Sequence, residues 1–335
     1  MKLDNKIVNI LKRSRIQKTL RRILHRLSGT RFSVPNKLDM LVVEITTYCT
    51  LKCAGCVRTI LSQQEKWKNQ HISLENYRKL IDDLPPANLF IPQGIGEPTL
   101  HPHIVELIRY ASDSKKFDKI EINTNGLVRT VEYYEQLFAA GLSSLCVSVD
   151  SLNPDILPTV RGGTDAQKLE SFLRAFAGKF PGKLGIRVTV SAWNLSDLSN
   201  LLDKLNSIGQ MNVWLQPFFN MGNPDGVMSP EQAKGLLERL DSYNEKYNFL
   251  DISAEPMEPS AEICLAPWRS PAICADGTVK PCCLLLYQDP IKFGNAFVEP
   301  FQEIWHSKRL DAFRREFLKK SPACCRDCPY YVMRK

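Results

Sequence analysis

Three cysteines fall within eight residues in the run Tyr48-Cys49-Thr50-Leu51-Lys52-Cys53-Ala54-Gly55-Cys56. Thiolates on one short loop at this C-x3-C-x2-C spacing can wrap one face of an iron–sulfur cube. They leave one iron without a protein ligand, open to chelation by a small molecule. A structural zinc ion takes four protein donors, and no fourth Cys or His stands nearby in the sequence. A second set lies towards the other end: Cys264, then Cys282 after Gly277 and four intervening residues, then Cys325-x2-Cys328. Four thiolates of this kind suit an iron–sulfur cluster or a structural zinc site equally. Cys146 sits inside an apolar run and reads as a buried small hydrophobe.

The elements that must position these residues follow from the periodicity. Short β-branched or aromatic runs occur at Leu41–Thr46, Asn88–Pro92, Lys119–Thr124, Ser144–Val149, Leu184–Ser191 and Asn212–Gln216. Helical patterns lie between them near 73–83, 102–112, 131–140, 165–178 and 196–208, with another at 229–246. Six strand–helix units in series imply parallel strands joined by right-handed crossovers, in an open sheet or a barrel. Six units fall short of the eight of a closed (β/α)8 barrel. The expectation is an α/β fold: a partial (β/α)6 TIM-like barrel, open on one side, with a small cysteine-rich C-terminal domain. The first cysteine loop follows the first strand, at the carboxyl end where barrel active sites form. After about residue 255 prolines break the periodicity, and Asp276-Gly277 predicts the turn of a hairpin between Ile273 and Val279.

Composition limits the function classes. The 335 residues are 44% hydrophobic and 24% charged, enough apolar content to exclude a disordered chain. No apolar run approaches the roughly 20 residues that span a bilayer. Residues 1–38 hold 11 Lys/Arg against Asp4 alone, while the other 297 sum to about −2. The basicity therefore belongs to a leader, and no nucleic-acid partner is expected. That leader carries apolar stripes between its basic residues and would suit peripheral contact with an anionic membrane surface or an acidic partner. The same pattern also suits a helix packed on the body with a solvated basic face. Clustered cysteines without a signal-peptide core point to metal binding in a reducing cytoplasm. The expected division is a leader over 1–38, a core barrel over 39–225, a connecting helix/strand over 226–255 and an iron–sulfur domain over 256–335.

The cysteine run resembles the cluster motif of radical S-adenosylmethionine (SAM) enzymes, and other signatures follow in that family's order. Gly94-Ile95-Gly96-Glu97-Pro98 resembles its Gly-Gly-Glu-Pro segment, and Thr124-Asn125-Gly126 and Ser148-Val149-Asp150-Ser151 follow. The resemblance implies that Cys49, Cys53 and Cys56 hold a SAM-binding [4Fe-4S] cluster. It implies that Gly94, Gly96 and Glu97 serve the methionyl amino group, and Ser148 and Asp150 the ribose. Arg161 then approaches the SAM carboxylate region, and Asn194 is a SAM contact. One departure stands out: the family often has an aromatic residue before the third cysteine, near adenine, where this chain has Gly55.

The C-terminal cysteines, with Gly294-Asn295, Glu303-Ile304-Trp305 and Arg314, resemble the SPASM module in its abbreviated Twitch form. That resemblance implies an auxiliary [4Fe-4S] cluster on Cys264, Cys282, Cys325 and Cys328. Cys282 is chosen for its spacing from Gly277, and Cys325 because it alone makes C-x2-C with Cys328. Cys274, Cys283 and Cys324 remain as candidate hydrogen-atom donors.

The family chemistry implied is reductive cleavage of SAM to a 5′-deoxyadenosyl radical that abstracts a substrate hydrogen atom. Electrons would come from a donor such as flavodoxin or ferredoxin. A four-thiolate auxiliary cluster suits electron transfer, which favours dehydrogenation of a small polar or carbohydrate-type substrate. A peptide-modifying maturase or an epimerase of the same superfamily is the alternative, and a zinc-binding interaction protein is the alternative of another class.

Overall fold

A computed structural model describes residues 33–220, 222–254, 264–287, 291–319, 322–325 and 328. Most of the basic leader, residues 1–32, lies outside the described residues. The strands are β1 (Leu38–Val43), β2 (Ala87–Ile91), β3 (Phe117–Thr124), β4 (Ser144–Ser148), β5 (Leu184–Val190), β6 (Met211–Pro217), β7 (Leu250–Ala254), β8 (Ala272–Ile273) and β9 (Val279–Lys280). They form one sheet in the order β7-β6-β5-β4-β3-β2-β1-β8-β9. Every pairing from β7 to β8 is parallel, and the β8–β9 hairpin closes antiparallel. The first and seventh strands are not neighbours, so the sheet curls as a partial barrel and stays open.

The main helices after the strands are α1 (Val57–Gln63), α2 (Leu74–Asp83), α3 (Ile104–Asp113), α4 (Tyr133–Ala139), α5 (Leu157–Val160), α6 (Ala166–Lys179), α7 (Leu198–Ile208) and α8 (Pro230–Lys246). Their starts are written in the sequence. Ser73 accepts from Asn76 N–H, Asp165 accepts from Lys168 N–H, and Ser229 with Gln232 forms a reciprocal capping box ahead of Pro230. Each helix buries one stripe against the sheet, as α3 does with Ile104, Leu107, Ile108 and Ala111.

The strand alternation separates two faces. On β3, Ile120, Ile122 and Thr124 are buried, while Glu121 and Asn123 are only partly so. On β5, Ile186, Val188 and Val190 are fully buried, with Arg187 and Thr189 on the opposite face. Asn123, Thr189, Ser148 and Gln216 share the inner face and line one cavity.

The structure extends the count of six strand–helix units by a seventh parallel strand. β7 pairs with β6 through Met211↔Leu250 to Leu215↔Ala254. Its five residues, LDISA, include exposed Asp251 and Ser253, which makes the apolar run too short to stand out. The hairpin turns at Asp276-Gly277, and its first strand joins the main sheet beside β1 through Val42↔Ala272. No helix among the described residues is long and apolar enough to cross a membrane.

Candidate active site

The chain leaves the carboxyl end of β1 as a loop from Glu44 to Cys56, in the crevice where parallel sheets place ligands. Cys49, Cys53 and Cys56 all line a cavity of about 310 Å³ there. The loop is clamped from outside. Lys52 N–H donates to the Gly162 carbonyl (2.7 Å) and Ala54 N–H to that of Thr159 (3.2 Å). From α1, Arg58 donates to the carbonyls of Cys49 (2.9 Å) and Leu51 (3.0 Å). Leu51 N–H lies 3.5 Å from Cys49 Sγ, the kind of donor that supports a thiolate ligand. Burial raises the Cys49 thiol pKa and pushes Cys53 up to about 12 despite the pull of Arg161. A bound metal supplies the positive charge that such buried thiols need in order to ionise, so the donor set fits an iron–sulfur cluster.

The glycine segment after β2 packs against this loop. A side-chain carbon at Gly94 would overlap Glu44, and one at Gly96 would overlap the backbone oxygen of Thr46. Both residues line the cavity, so glycine lets the backbone itself form the wall. Glu97 is buried yet lines the cavity, and its carboxylate bonds within the chain. It accepts from Thr99 N–H (3.1 Å), Thr99 Oγ1 (2.6 Å), Thr124 Oγ1 (2.8 Å) and Asn125 N–H (2.7 Å). These bonds brace the glycine segment against the end of β3, while Oε2 accepts, among the described residues, only from Asn125 N–H and keeps capacity for the amino group that the family resemblance assigns to Glu97.

Ser148, Asp150 and Arg161 meet on the opposite wall. Asp150 accepts from Arg161 Nη1 (3.0 Å) and from Thr189 N–H (2.7 Å). Burial opposes the charge on Arg161, yet Asp150 and the nearby Cys53 hold its pKa above the usual value. Arg161 Nε is a buried donor with no acceptor among the described residues, which fits a ligand supplying one. Asn194 is placed differently. It is buried behind the wall, not among the lining residues. Its Oδ1 accepts from Ser191 N–H and Oγ, and its Nδ2 donates to the Asp150 and Thr189 carbonyls. All its capacity goes into tying the ends of β4 and β5 together, so it positions the wall and does not contact a ligand.

The aromatic surface comes from beyond the cysteine loop. The Phe218 ring fills the space a side chain at Gly55 would take, and Gly226 leaves room for Trp193 and Phe218. Trp193 and Phe218 meet edge to face at 5.2 Å, and both line the cavity with Phe219. Arg58, Gln93, Asn123, Thr189, Gln216 and these aromatics were not singled out from the sequence. The period-two alternation through Ser148 could have indicated the strand residues, and the position directly before Gly94 could have indicated Gln93.

The second cysteine set also comes together. The Cys282 thiol pKa is raised by burial and by the thiols of Cys283, Cys264 and Cys328. That of Cys325 is raised by its hydrogen bond with Cys324, by burial and by Cys282 and Cys328. Cys264, Cys282, Cys283, Cys324, Cys325 and Cys328 therefore fall in one region, which supplies thiols of the kind a cluster takes. Leu284, two residues past Cys282, lines the cavity. Cys274, Cys283 and Cys324 do not line it. Cys274 is buried among Val42, Ile91, Ala272 and Leu286, with its Sγ donating to the Leu286 carbonyl (3.2 Å). Cys146 is buried on β4, its pKa pushed up to about 12 by burial, beside Arg187.

Two family models match the chain. That described as the radical SAM superfamily covers residues 43–205, and that described as an iron–sulfur cluster-binding domain, SPASM, covers 264–329. The chain therefore carries a radical SAM superfamily domain followed by a SPASM iron–sulfur cluster-binding domain. Its cofactors are accordingly a SAM-binding [4Fe-4S] cluster, auxiliary cluster content in the SPASM domain, and SAM itself.

Among its relatives, the chain is 26% identical to the tungsten-containing aldehyde ferredoxin oxidoreductase cofactor-modifying protein of Pyrococcus furiosus over 328 aligned residues, covering 87% of each. It is 24% identical to the AdoMet-dependent heme synthase of Methanosarcina barkeri, covering 84% of this chain and 86% of that one. The fold is shared with Streptococcus suis SuiB, solved bound to the precursor peptide SuiA. The TM-score is 0.70 at 16% identity, covering 95% of this chain and 76% of SuiB.

Proposed function

We propose that this radical SAM enzyme oxidises a small polar substrate and passes the resulting electron to the auxiliary cluster. The observation that carries the reading is the place of Leu284: the segment that follows Cys282 is itself part of the cavity wall. A substrate in the cavity is thus one short stretch of chain from an auxiliary-cluster ligand. None of Cys274, Cys283 and Cys324 lines the cavity to return a hydrogen atom, so oxidation is favoured over redox-neutral epimerisation. Relatives named for modifying a cofactor and for making heme support a small-molecule substrate, of which a carbohydrate is one class.

Each residue then has a task. Cys49, Cys53 and Cys56 hold the first cluster, and Cys264, Cys282, Cys325 and Cys328 the auxiliary one. The backbone at Gly94 and Gly96, with Arg161 Nε, holds the methionyl end of SAM. Ser148 and the Asp150–Arg161 pair face the ribose, and Trp193 and Phe218 offer the apolar surface for adenine. Glu97 lines the wall beside the glycine segment with Oε2 free to accept from the methionyl amino group, and Asn194 positions the wall from behind. Bound there, cluster and SAM supply the one-electron chemistry that removes hydrogen from an unactivated C–H bond. The protein contributes orientation and a site screened from water and stray hydrogen donors.

The test is isotopic. In turnover, the reading expects product two hydrogens lighter than substrate, with no solvent deuterium at the reacting carbon. Product of the substrate's composition with one hydrogen replaced by solvent deuterium, one mass unit heavier, would instead establish an epimerase.

A further inference from the structure

The inner wall opposite the cysteine loop holds two amides whose orientation is fixed from behind. β2 ends at Ile91 and its pairing with β3 stops at Phe90↔Ile120, so the Asn123 N–H has no strand partner on that side. The Gln93 side chain supplies it: Gln93 Oε1 accepts from Asn123 N–H. Asn123 Oδ1 in turn accepts from Arg187 Nε (3.3 Å). A backbone N–H and a guanidinium can only donate, so both amide oxygens must face them. The two NH2 groups are therefore what Gln93 and Asn123 have left to offer. Both residues line the cavity, and neither amide nitrogen is a buried orphan.

We propose that Gln93 and Asn123 are the substrate-anchoring pair, and that the substrate presents an sp2 oxygen, a carbonyl or carboxylate, beside the carbon that loses hydrogen. The assignment rests on the radical SAM reading of this cavity and adds the class of group it accepts. Paired neutral donors match an acceptor-only group. A polyol hydroxyl would bring its own donor to a wall that has no acceptor for it at these two positions. The same oxygen chemistry can come from a peptide-type carbonyl or from a free carboxylate.

The reconstituted full-length enzyme tests this with SAM, dithionite and three deuterated probes: N-acetylglycinamide labelled at the glycine methylene, glycolate labelled at its methylene, and perdeuterated glycerol. A probe seated in the anchor loses one deuterium atom to the 5′ carbon, giving singly labelled 5′-deoxyadenosine, and the probe radical left behind is reduced and protonated in the presence of dithionite. The readout is the labelled fraction of the 5′-deoxyadenosine formed. N-acetylglycinamide or glycolate should label it well above glycerol, and whichever leads identifies the carbonyl or the carboxylate source. Gln93→Glu and Asn123→Asp each keep the oxygen that the chain uses and remove the donor. Each should cut the labelled fraction about tenfold, the worth of one hydrogen bond. Glycerol labelling best, or a labelled fraction unmoved by both substitutions, overturns the assignment. No 5′-deoxyadenosine from the wild type with any probe would instead sink the radical SAM reading beneath it.

Discussion

Asp150 and Arg161 meet at 3.0 Å with side chains only 8% and 13% exposed. Removing one member of so buried a pair strands the other charge, which costs about 3–5 kcal/mol. Asp150→Ala is therefore expected to lower the denaturation midpoint and weaken SAM binding together, read by chemical unfolding and by titration of the reduced cluster signal. Asn194→Ala should cost about 2–4 kcal/mol through its four lost hydrogen bonds, visible in the same unfolding experiment. At this scale the sequence was legible where chemistry is local. Three thiols on one loop are readable from spacing alone. What Glu97 and Asn194 bond to was not, because their partners lie on other strands, Thr124 and Asn125 for one and Asp150 and Thr189 for the other. A motif marks that such a residue is needed, and only tertiary structure shows whether its polar atoms face a ligand or the chain.

Among the elements, the exchange between the cysteine loop and β6 is the most testable. Phe218 occupies the space over Gly55, so an aromatic side chain at either position excludes one at the other. Gly55→Phe alone should abolish SAM cleavage by displacing the loop between Cys53 and Cys56. Gly55→Phe with Phe218→Ala should restore a measurable part of it, scored as 5′-deoxyadenosine formed. Failure of the double variant to recover would show that the ring has a further role. Strand and helix placement was readable from the short β-branched runs and the helical patterns between them. β7 falls within the connecting helix/strand expected over 226–255 but was not counted with the parallel sheet, since a five-residue edge strand with two exposed polar residues carries little periodic signal. The place of the β8–β9 hairpin beside β1 is a non-local pairing that its own turn sequence does not specify.

For the whole molecule, the proposed ligand assignment divides the metal between the two cysteine sets, and Leu284, two residues past Cys282, lines the first site's cavity. On that assignment, with one four-iron cluster at each site, replacing Cys325 and Cys328 with Ala should remove about half the iron. It should leave SAM cleavage in place and stop substrate oxidation. Buried Glu44 contributes to this junction, accepting from Ile95 N–H (2.9 Å) in the glycine segment, Ala275 N–H (3.2 Å) in the hairpin and the Tyr287 hydroxyl. The sequence placed both modules, but this shared carboxylate joins residues up to 243 positions apart and could not be read from it.

The most direct measurement of the central claim is metal content and SAM cleavage on the same anaerobically reconstituted, dithionite-reduced full-length protein. The account predicts about eight iron and eight sulfide per chain. It also predicts 5′-deoxyadenosine on adding SAM, with Cys49→Ala, Cys53→Ala, Cys56→Ala together losing half the iron and all of that product. Stoichiometric zinc with no 5′-deoxyadenosine would contradict it.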